Sequence, residues 1–205
     1  MEHAPSTPSA CAGSPVDNRV ASADTRATAT QGSTATPRVA LVTGAGKRLG
    51  RTIALALAQD GWDIGVHCRD SVVDAKQTVT DIQALGRRAV VLQADLDDAA
   101  QCQTLVPRLA DTLGPVSGLV NSASRFEYDD IRSFTPESLQ QHLVPNLMAP
   151  VLLAQSLASQ LPAAPVQGVI VNLLDQKLFN LNPDFLSYTL SKAALSAATT
   201  MLAQA

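Results

Sequence analysis

Tyr188 and Lys192 stand four positions apart in the stretch YTLSK, within an apolar-periodic segment that reads as a helix. That spacing puts a phenol and an ammonium on one helix face. Asp175 lies upstream, directly after the apolar run GVIVNLL (168–174). Together the three side chains are candidates for a proton-donating centre. An ordinary helix can carry such a pair, and an Asp after a strand can be a simple cap. The elements before them have to decide.

A second constellation is TGAGKRLG (43–50), between the apolar run VALVT (39–43) and the helical pattern KRLGRTIALALAQDG (47–61). Glycines between a strand and a helix let the backbone bend tightly against a pyrophosphate, while the helix start offers free N–H groups. Gly44, Gly46 and Gly50 supply that turn, with Lys47, Arg48 and Leu49 between them. Arg48 is a cation at a helix start, which opposes the helix dipole. A bound phosphate or an anionic substrate edge compensates for that; a solvated surface arginine is the alternative. The next strand ends in HCRDS (67–71). An acid there suits the ribose 2′-OH of NAD and an arginine suits the 2′-phosphate of NADP. Asp70 keeps NAD open, but Arg69 is nearer the strand end and Lys47 adds charge, so NADPH is favoured.

The elements that must hold these residues alternate regularly. Strands are predicted at VALVT, WDIGVHC (62–68), RAVVLQADL (88–96), VSGLVNSAS (116–124) and GVIVNLL. Helices are predicted over 47–61, over VVDAKQTVTDIQALG (72–86), over 97–113, over a long region at 136–160, and around Tyr188. Alternation at this spacing implies a doubly wound α/β fold, a parallel sheet covered by helices on both faces. Pro145 falls inside the long helical region and should kink it.

The chain has 205 residues, 46% of them hydrophobic and 16% charged, with a formal charge of −3. That suffices for one domain with a sizeable core. Mild acidity without a basic cluster argues against nucleic-acid binding. No apolar run reaches the roughly 18 residues of a membrane helix. Cys11, Cys68 and Cys102 are odd in number and lack CxxC spacing, which suits a reduced, cytoplasmic compartment. No metal site is predicted. Residues 1–37, rich in Ala, Ser, Thr and Pro, are expected to form a disordered tail ahead of a domain over 38–205. The sequence stops in or just after the Tyr188 helix, so the fold is expected to be incomplete at its C-terminal end, as the front portion of a longer protein. His67 and His142 read as structural or exposed, and Trp62 as a packing residue.

TGAGKRLG, ADL (94–96), NSAS (121–124), PNLMAP (145–150) and YTLSK (188–192) occur in the order of the short-chain dehydrogenase/reductases. The sequence from Val39 onward resembles that family. Arg48, NSASRF (121–126), and an acid thirteen positions before Tyr188 are similar to its pteridine reductase branch. The resemblance implies a Rossmann-like fold, NADPH as cofactor, and a pterin-like or carbonyl small-molecule substrate. It implies Tyr188 as proton donor and Lys192 as a ribose ligand that lowers the Tyr188 pKa. Asn146 would hold a water linking Lys192 to solvent. Asp95 and Leu96 would meet the adenine side, and Asn121 and Ala123 would line the cofactor channel. Phe126 would stack the pterin on the nicotinamide, with Ser124 and Arg48 contacting pterin or phosphate. A homodimer or homotetramer through the long helices is implied as well.

Where the family usually has a serine, this sequence has Asp175. An ionised carboxylate cannot donate to a substrate carbonyl, so the reading favours acceptance from a pterin amine, or orientation of Tyr188. An NADPH-dependent ketone or quinone reductase, and a nucleotide-binding fragment without turnover, stay open as alternatives.

Overall fold

The computed structural model describes residues 38–161 and 168–204. The tail predicted for 1–37 lies outside the described residues. Five strands, β1 (Arg38–Val42), β2 (Trp62–Cys68), β3 (Ala89–Gln93), β4 (Val116–Asn121) and β5 (Val169–Asn172), form one parallel sheet in the order β3-β2-β1-β4-β5. Between them run α1 (Arg48–Gln59), α2 (Val72–Ala84), α3 (Ala99–Leu113), α4 (Pro136–Leu143) and α5 (Ala149–Ala158), and α6 (Leu186–Leu202) follows β5.

Side chains on a strand alternate between faces, and β1 shows how that builds two cores. Val39 and Leu41 enter a cluster with Leu105, Leu109, Leu153 and Leu157 from α3 and α5. Ala40 and Val42 enter another with Ala54, Ala58 and Ile82 from α1 and α2. These four of the five β1 residues are buried, the near-continuous apolar run expected of a strand covered on both sides. At the opposite end of the sheet from the β-strand carboxyl ends, buried Asp63 of β2 pairs with Arg87 and Arg88, each at 2.7 Å. Arg88 also donates to the Leu113 carbonyl, tying the β2, β3 and β4 approaches together.

The long helical region predicted over 136–160 is three pieces. Between α4 and α5 the segment Val144–Met148 is a π-helical turn, in which the Ala149 N–H donates to the Val144 carbonyl. Pro145 has no N–H to give to the preceding turn, so the ladder shifts register there. Pro150 likewise lacks the N–H that would bond the Asn146 carbonyl in α-helical register.

Candidate active site

Strand order reverses direction at β1 and β4, and ligands of such sheets bind at that switch point, beyond the strand carboxyl ends. A cleft of about 910 Å³ opens there. Its walls include Gly44, Arg48 and Gly50 on one side, Arg69, Asp70, Asp95 and Leu96 on another, and Phe126, Asp175, Tyr188 and Lys192 across from them.

The glycine turn is built against backbone. Gly44 has φ +64°, and a Cβ at Gly50 would lie 2.3 Å from the Gly44 oxygen, so neither position accepts a side chain without rearrangement. Thr43 Oγ1 accepts from the N–H groups of Ser122 and Ala123, both at 3.0 Å, pinning the β4 exit to this turn. Gly46, expected beside the cofactor, instead backs onto α2: a Cβ there would come within 2.9 Å of Ser71 Oγ, and it does not line the cleft. Lys47, Arg48 and Leu49 do line it. Arg48 adopts φ +50°, a left-handed conformation that disfavours any side chain.

Beneath the turn sits a residue whose part sequence reasoning missed. The Gly44 N–H donates to His67 Nδ1 at 3.2 Å, and His67 Nε2 donates to the Ala94 carbonyl at 3.1 Å. Burial lowers the His67 pKa to about 4, despite the opposing pull of the Ala94 bond, so the ring is neutral. A histidine inside an apolar strand carries no local signal that it will support a neighbouring turn. The cationic side chains predicted for a 2′-phosphate are present with acidic neighbours: Arg69 bonds Asp70 at 2.7 Å, and Lys47 pairs with Asp74 at 3.0 Å. Among the described residues Arg48 has no carboxylate within 4.0 Å.

Across the cleft, Tyr188 Oη donates to Asp175 Oδ2 at 2.7 Å. Asp175 Oδ1 accepts the Lys177 N–H at 2.8 Å, capping the single 3₁₀ turn Gln176–Phe179. The capping reading and the tyrosine-orienting reading of Asp175 are therefore both realised, by different oxygens. The Lys177 N–H, then the Tyr188 hydroxyl, hold the Asp175 pKa below the ordinary carboxylate range.

The expectation that Lys192 lowers the Tyr188 pKa is corrected. Lys192 Nζ donates to the Leu173 carbonyl at 2.8 Å and lies 5.8 Å from the Tyr188 ring centroid. Burial, then the Asp175 carboxylate, raise the Tyr188 pKa well above its usual value. Burial also lowers the Lys192 pKa. The phenol is thus held protonated.

One more assignment changes, and that of Asn146 narrows to its main chain. The Asn146 side chain cannot be the water holder, because protein atoms use it fully. Its Oδ1 accepts from the Arg125 N–H and Ser124 Oγ, and its Nδ2 donates to the Arg125 carbonyl and Ser191 Oγ. Asn146 therefore ties the loop after β4 to α6, and only its main-chain carbonyl is left for a water. Asn121 does not line the cleft; its Nδ2 donates to Asn172 Oδ1 at 2.8 Å, bridging β4 to β5. Ala123 and Ser124 do line it, although Ser124 Oγ is engaged with Asn146.

Phe126 borders the cleft and is 55% exposed. Its ring stacks on Phe185, with centroids 4.3 Å apart and planes 9° off parallel, and meets the Tyr188 ring edge-on at 4.6 Å. Phe185 does not line the cleft, so it supports Phe126 from outside it. Sequence reasoning missed Phe185, since a phenylalanine at a helix start is no capping signal.

A glycine turn facing a protonated phenol across a cleft at the strand carboxyl ends defines an α/β protein of the dinucleotide-binding type. The chain belongs to the short chain dehydrogenase family, whose pattern matches residues 38–205. The 2-dehydro-3-deoxy-D-gluconate 5-dehydrogenase of Dickeya dadantii is 32% identical over 167 residues, 81% of this chain. This chain spans 64% of that relative's length. Among solved structures, the FolM alternative dihydrofolate reductase 1 of Brucella suis in complex with NADP superposes with a TM-score of 0.77 at 38% identity. The match covers 82% of this chain and 69% of that one. A Burkholderia cenocepacia short chain dehydrogenase in complex with NADP gives a TM-score of 0.76 at 33% identity, covering 82% and 67%.

Proposed function

We propose that this chain supplies the cofactor cleft and proton-donating centre of an NADPH-dependent reductase acting on a pteridine- or dihydrofolate-type ring. The observation that carries the reading is the Tyr188–Asp175 bond beside the Phe126 ring. An acceptor carboxylate where ketone chemistry wants a hydroxyl donor suits a substrate bearing ring N–H or amine groups. An exposed aromatic face at the same place suits a flat one.

The residues present fit the cofactor. Gly50 packs directly on the Gly44 backbone, which keeps the turn tight, and Gly44 and Gly50 both border the cleft where a pyrophosphate would lie. Arg69, with Lys47, would take the 2′-phosphate, and Asp95 and Leu96 the adenine side. When bound, NADPH supplies the hydride. Arg48, with no carboxylate within 4.0 Å among the described residues, would meet the phosphate or an anionic substrate edge. Phe126 holds the substrate ring flat, which contributes the orientation term. Tyr188 delivers the proton, and Asp175 keeps the phenol oriented and protonated until it is used. Lys192, now bonded to the Leu173 carbonyl, would hold the nicotinamide ribose. The NADP-bound FolM structure supports both the cofactor and the substrate class.

The reading extends to assembly and location. Met148 and Leu190 are exposed apolar residues on the helical segments through which a homodimer or homotetramer would form. Buried Cys68 and Cys102 are free thiols, which supports a cytoplasmic setting, and no described helix is long and apolar enough to cross a membrane.

The test is steady-state NADPH oxidation by the full-length protein with dihydrobiopterin, dihydrofolate and simple ketones, in wild type and Asp175→Ser. Preference for the pterins, reversed toward ketones in the variant, is the expected result. Equal or better turnover of ketones by the wild type would replace this reading with a carbonyl reductase.

A further inference from the structure

The start of α6 is peculiar. Its N-cap residue, Phe185, offers no capping side chain and sits at φ +56°. A helix start leaves N–H groups without intrahelical partners, and a left-handed phenylalanine costs about 1–3 kcal/mol. The missing cap comes from another segment. The Asp129 carbonyl accepts the Leu186 N–H at 3.2 Å, and Asp129 Oδ1 accepts the Ser187 N–H at 2.9 Å. Asp129 Oδ2 accepts from Ser138 Oγ at 2.7 Å and from Ser187 Oγ.

Asp129 is 4% exposed, and among the described residues no Lys or Arg lies within 4.0 Å of it. A buried carboxylate with no ion-pair partner persists only if hydrogen bonds and a favourable field satisfy it. Here Ser138, Ser187 and the positive end of α6 do so. Burial raises the carboxyl pKa, but the bonds from Ser187 and Ser138 outweigh it and hold the group below its ordinary value.

The position of this clamp matters more than its strength. Asp129 is three residues after Phe126, and Ser187 is two residues after Phe185 and one before Tyr188. On the same loop, the Glu127 N–H donates to buried His142 of α4, whose other ring nitrogen bonds the Ser138 carbonyl. Two anchors thus bracket the short run carrying Phe126.

Resting on the assignment of Tyr188 as proton donor, we propose that Asp129 is a positioning residue. Its carboxylate locks the Phe126 loop onto the first turn of the Tyr188 helix, holding Phe185 in its strained conformation behind Phe126. The stacking ring and the phenol are thereby fixed relative to each other. Without the carboxylate, the buried Ser187 N–H loses its acceptor, the Ser138 and Ser187 hydroxyls, 2.9 Å apart, keep only each other, and Phe185 is free to relax. The glycine turn lies on another segment and is untouched.

The experiment compares wild type, Asp129→Ala and Asp129→Asn in the full-length protein. It reads NADPH affinity by fluorescence titration, turnover of dihydrobiopterin, and backbone hydrogen exchange over 122–131, 183–190 and 43–50. Asp129→Ala should lower kcat/KM for dihydrobiopterin at least about tenfold, as misplacement of a reacting pair by a fraction of an ångström does. NADPH affinity should stay within about twofold, because the cofactor contacts are elsewhere. Exchange should quicken in both 122–131 and 183–190 and not in 43–50. Asp129→Asn, which keeps an acceptor for the Ser187 N–H, should recover most of the turnover. Wild-type kcat/KM in Asp129→Ala overturns the proposal, as does an equal loss of NADPH affinity or unchanged exchange in 122–131. If Asp129→Ala does not fold, the Ser138→Ala/Ser187→Ala double variant is held to the same outcomes. If the wild type reduces no pterin, the substrate reading fails separately, and paired loosening of the two segments still decides for or against the clamp.

Discussion

The Tyr188 hydroxyl donates a hydrogen bond to Asp175 at 2.7 Å, while the ammonium of Lys192, one turn further along α6, donates to the Leu173 carbonyl. The phenol is therefore paired with an anion rather than a cation, and its pKa is raised by burial and by that anion. A side chain held in this way is a reserve of one proton at neutral pH.

Replacing Tyr188 with Phe should remove that proton at little structural cost. Turnover should fall by about 10²–10⁴-fold, the usual contribution of a positioned acid, while NADPH titration stays near wild type. Asp175→Asn removes the anion but not the burial. The phenolate absorbance, read as the difference from the same variant carrying Tyr188→Phe, should then titrate lower than in the wild type, yet still above an ordinary tyrosine.

His67 makes stability depend on pH. Its pKa falls from 6.5 to about 4 on folding, so the unfolded chain binds the extra proton between those values. Its contribution is complete above pH 6.5 and is lost as pH drops toward 4, amounting to about 3 kcal/mol. Urea denaturation across that range should show a flatter pH slope in His67→Asn than in the wild type. Parallel slopes would count against the buried neutral ring.

Gly50→Ala pushes a methyl group into backbone, 2.3 Å from the Gly44 oxygen. Overpacking of this kind costs about 1–3 kcal/mol, and backbone cannot rotate away as a side chain can. A lower melting temperature together with lost NADPH binding is expected. Unchanged values of both would mean the turn is looser than this geometry.

Arg48→Gly should separate stability from function. A left-handed arginine costs about 1–3 kcal/mol, and glycine returns part of that as about 0.5–1 kcal/mol of unfolded-chain entropy. The variant should melt at the same temperature or higher, and bind NADPH or turn over substrate less well. A variant that binds and turns over normally would make Arg48 a surface residue.

Much of the fold was legible because it rests on local periodicity. The run WDIGVHC coincides with β2, and GVIVNLL contains β5. The break in the helical region over 136–160 was legible at Pro145, which lacks an N–H; that the break takes the form of a π-helical turn was not. The cleft residues Gly44, Arg48, Asp175, Tyr188 and Lys192 were legible because strand ends and helix starts carry recognisable residue types. Asn121 was misread as a cleft residue, and the bonds of the Asn146 side chain gave no signal: both are buried amides whose partners, Asn172 and Arg125, are distant in sequence. His67, Phe185 and Asp129 gave no signal, since each acts only through a residue from another segment.

The sequence alone determined that a parallel sheet would present a glycine bend and a tyrosine–lysine helix at one edge, since alternation and spacing are properties of neighbouring residues. Only the tertiary structure decided what those groups touch. Long-range hydrogen bonds and burial, which no local pattern encodes, pair Tyr188 with Asp175, prop Gly44 on His67 and cap α6 with Asp129.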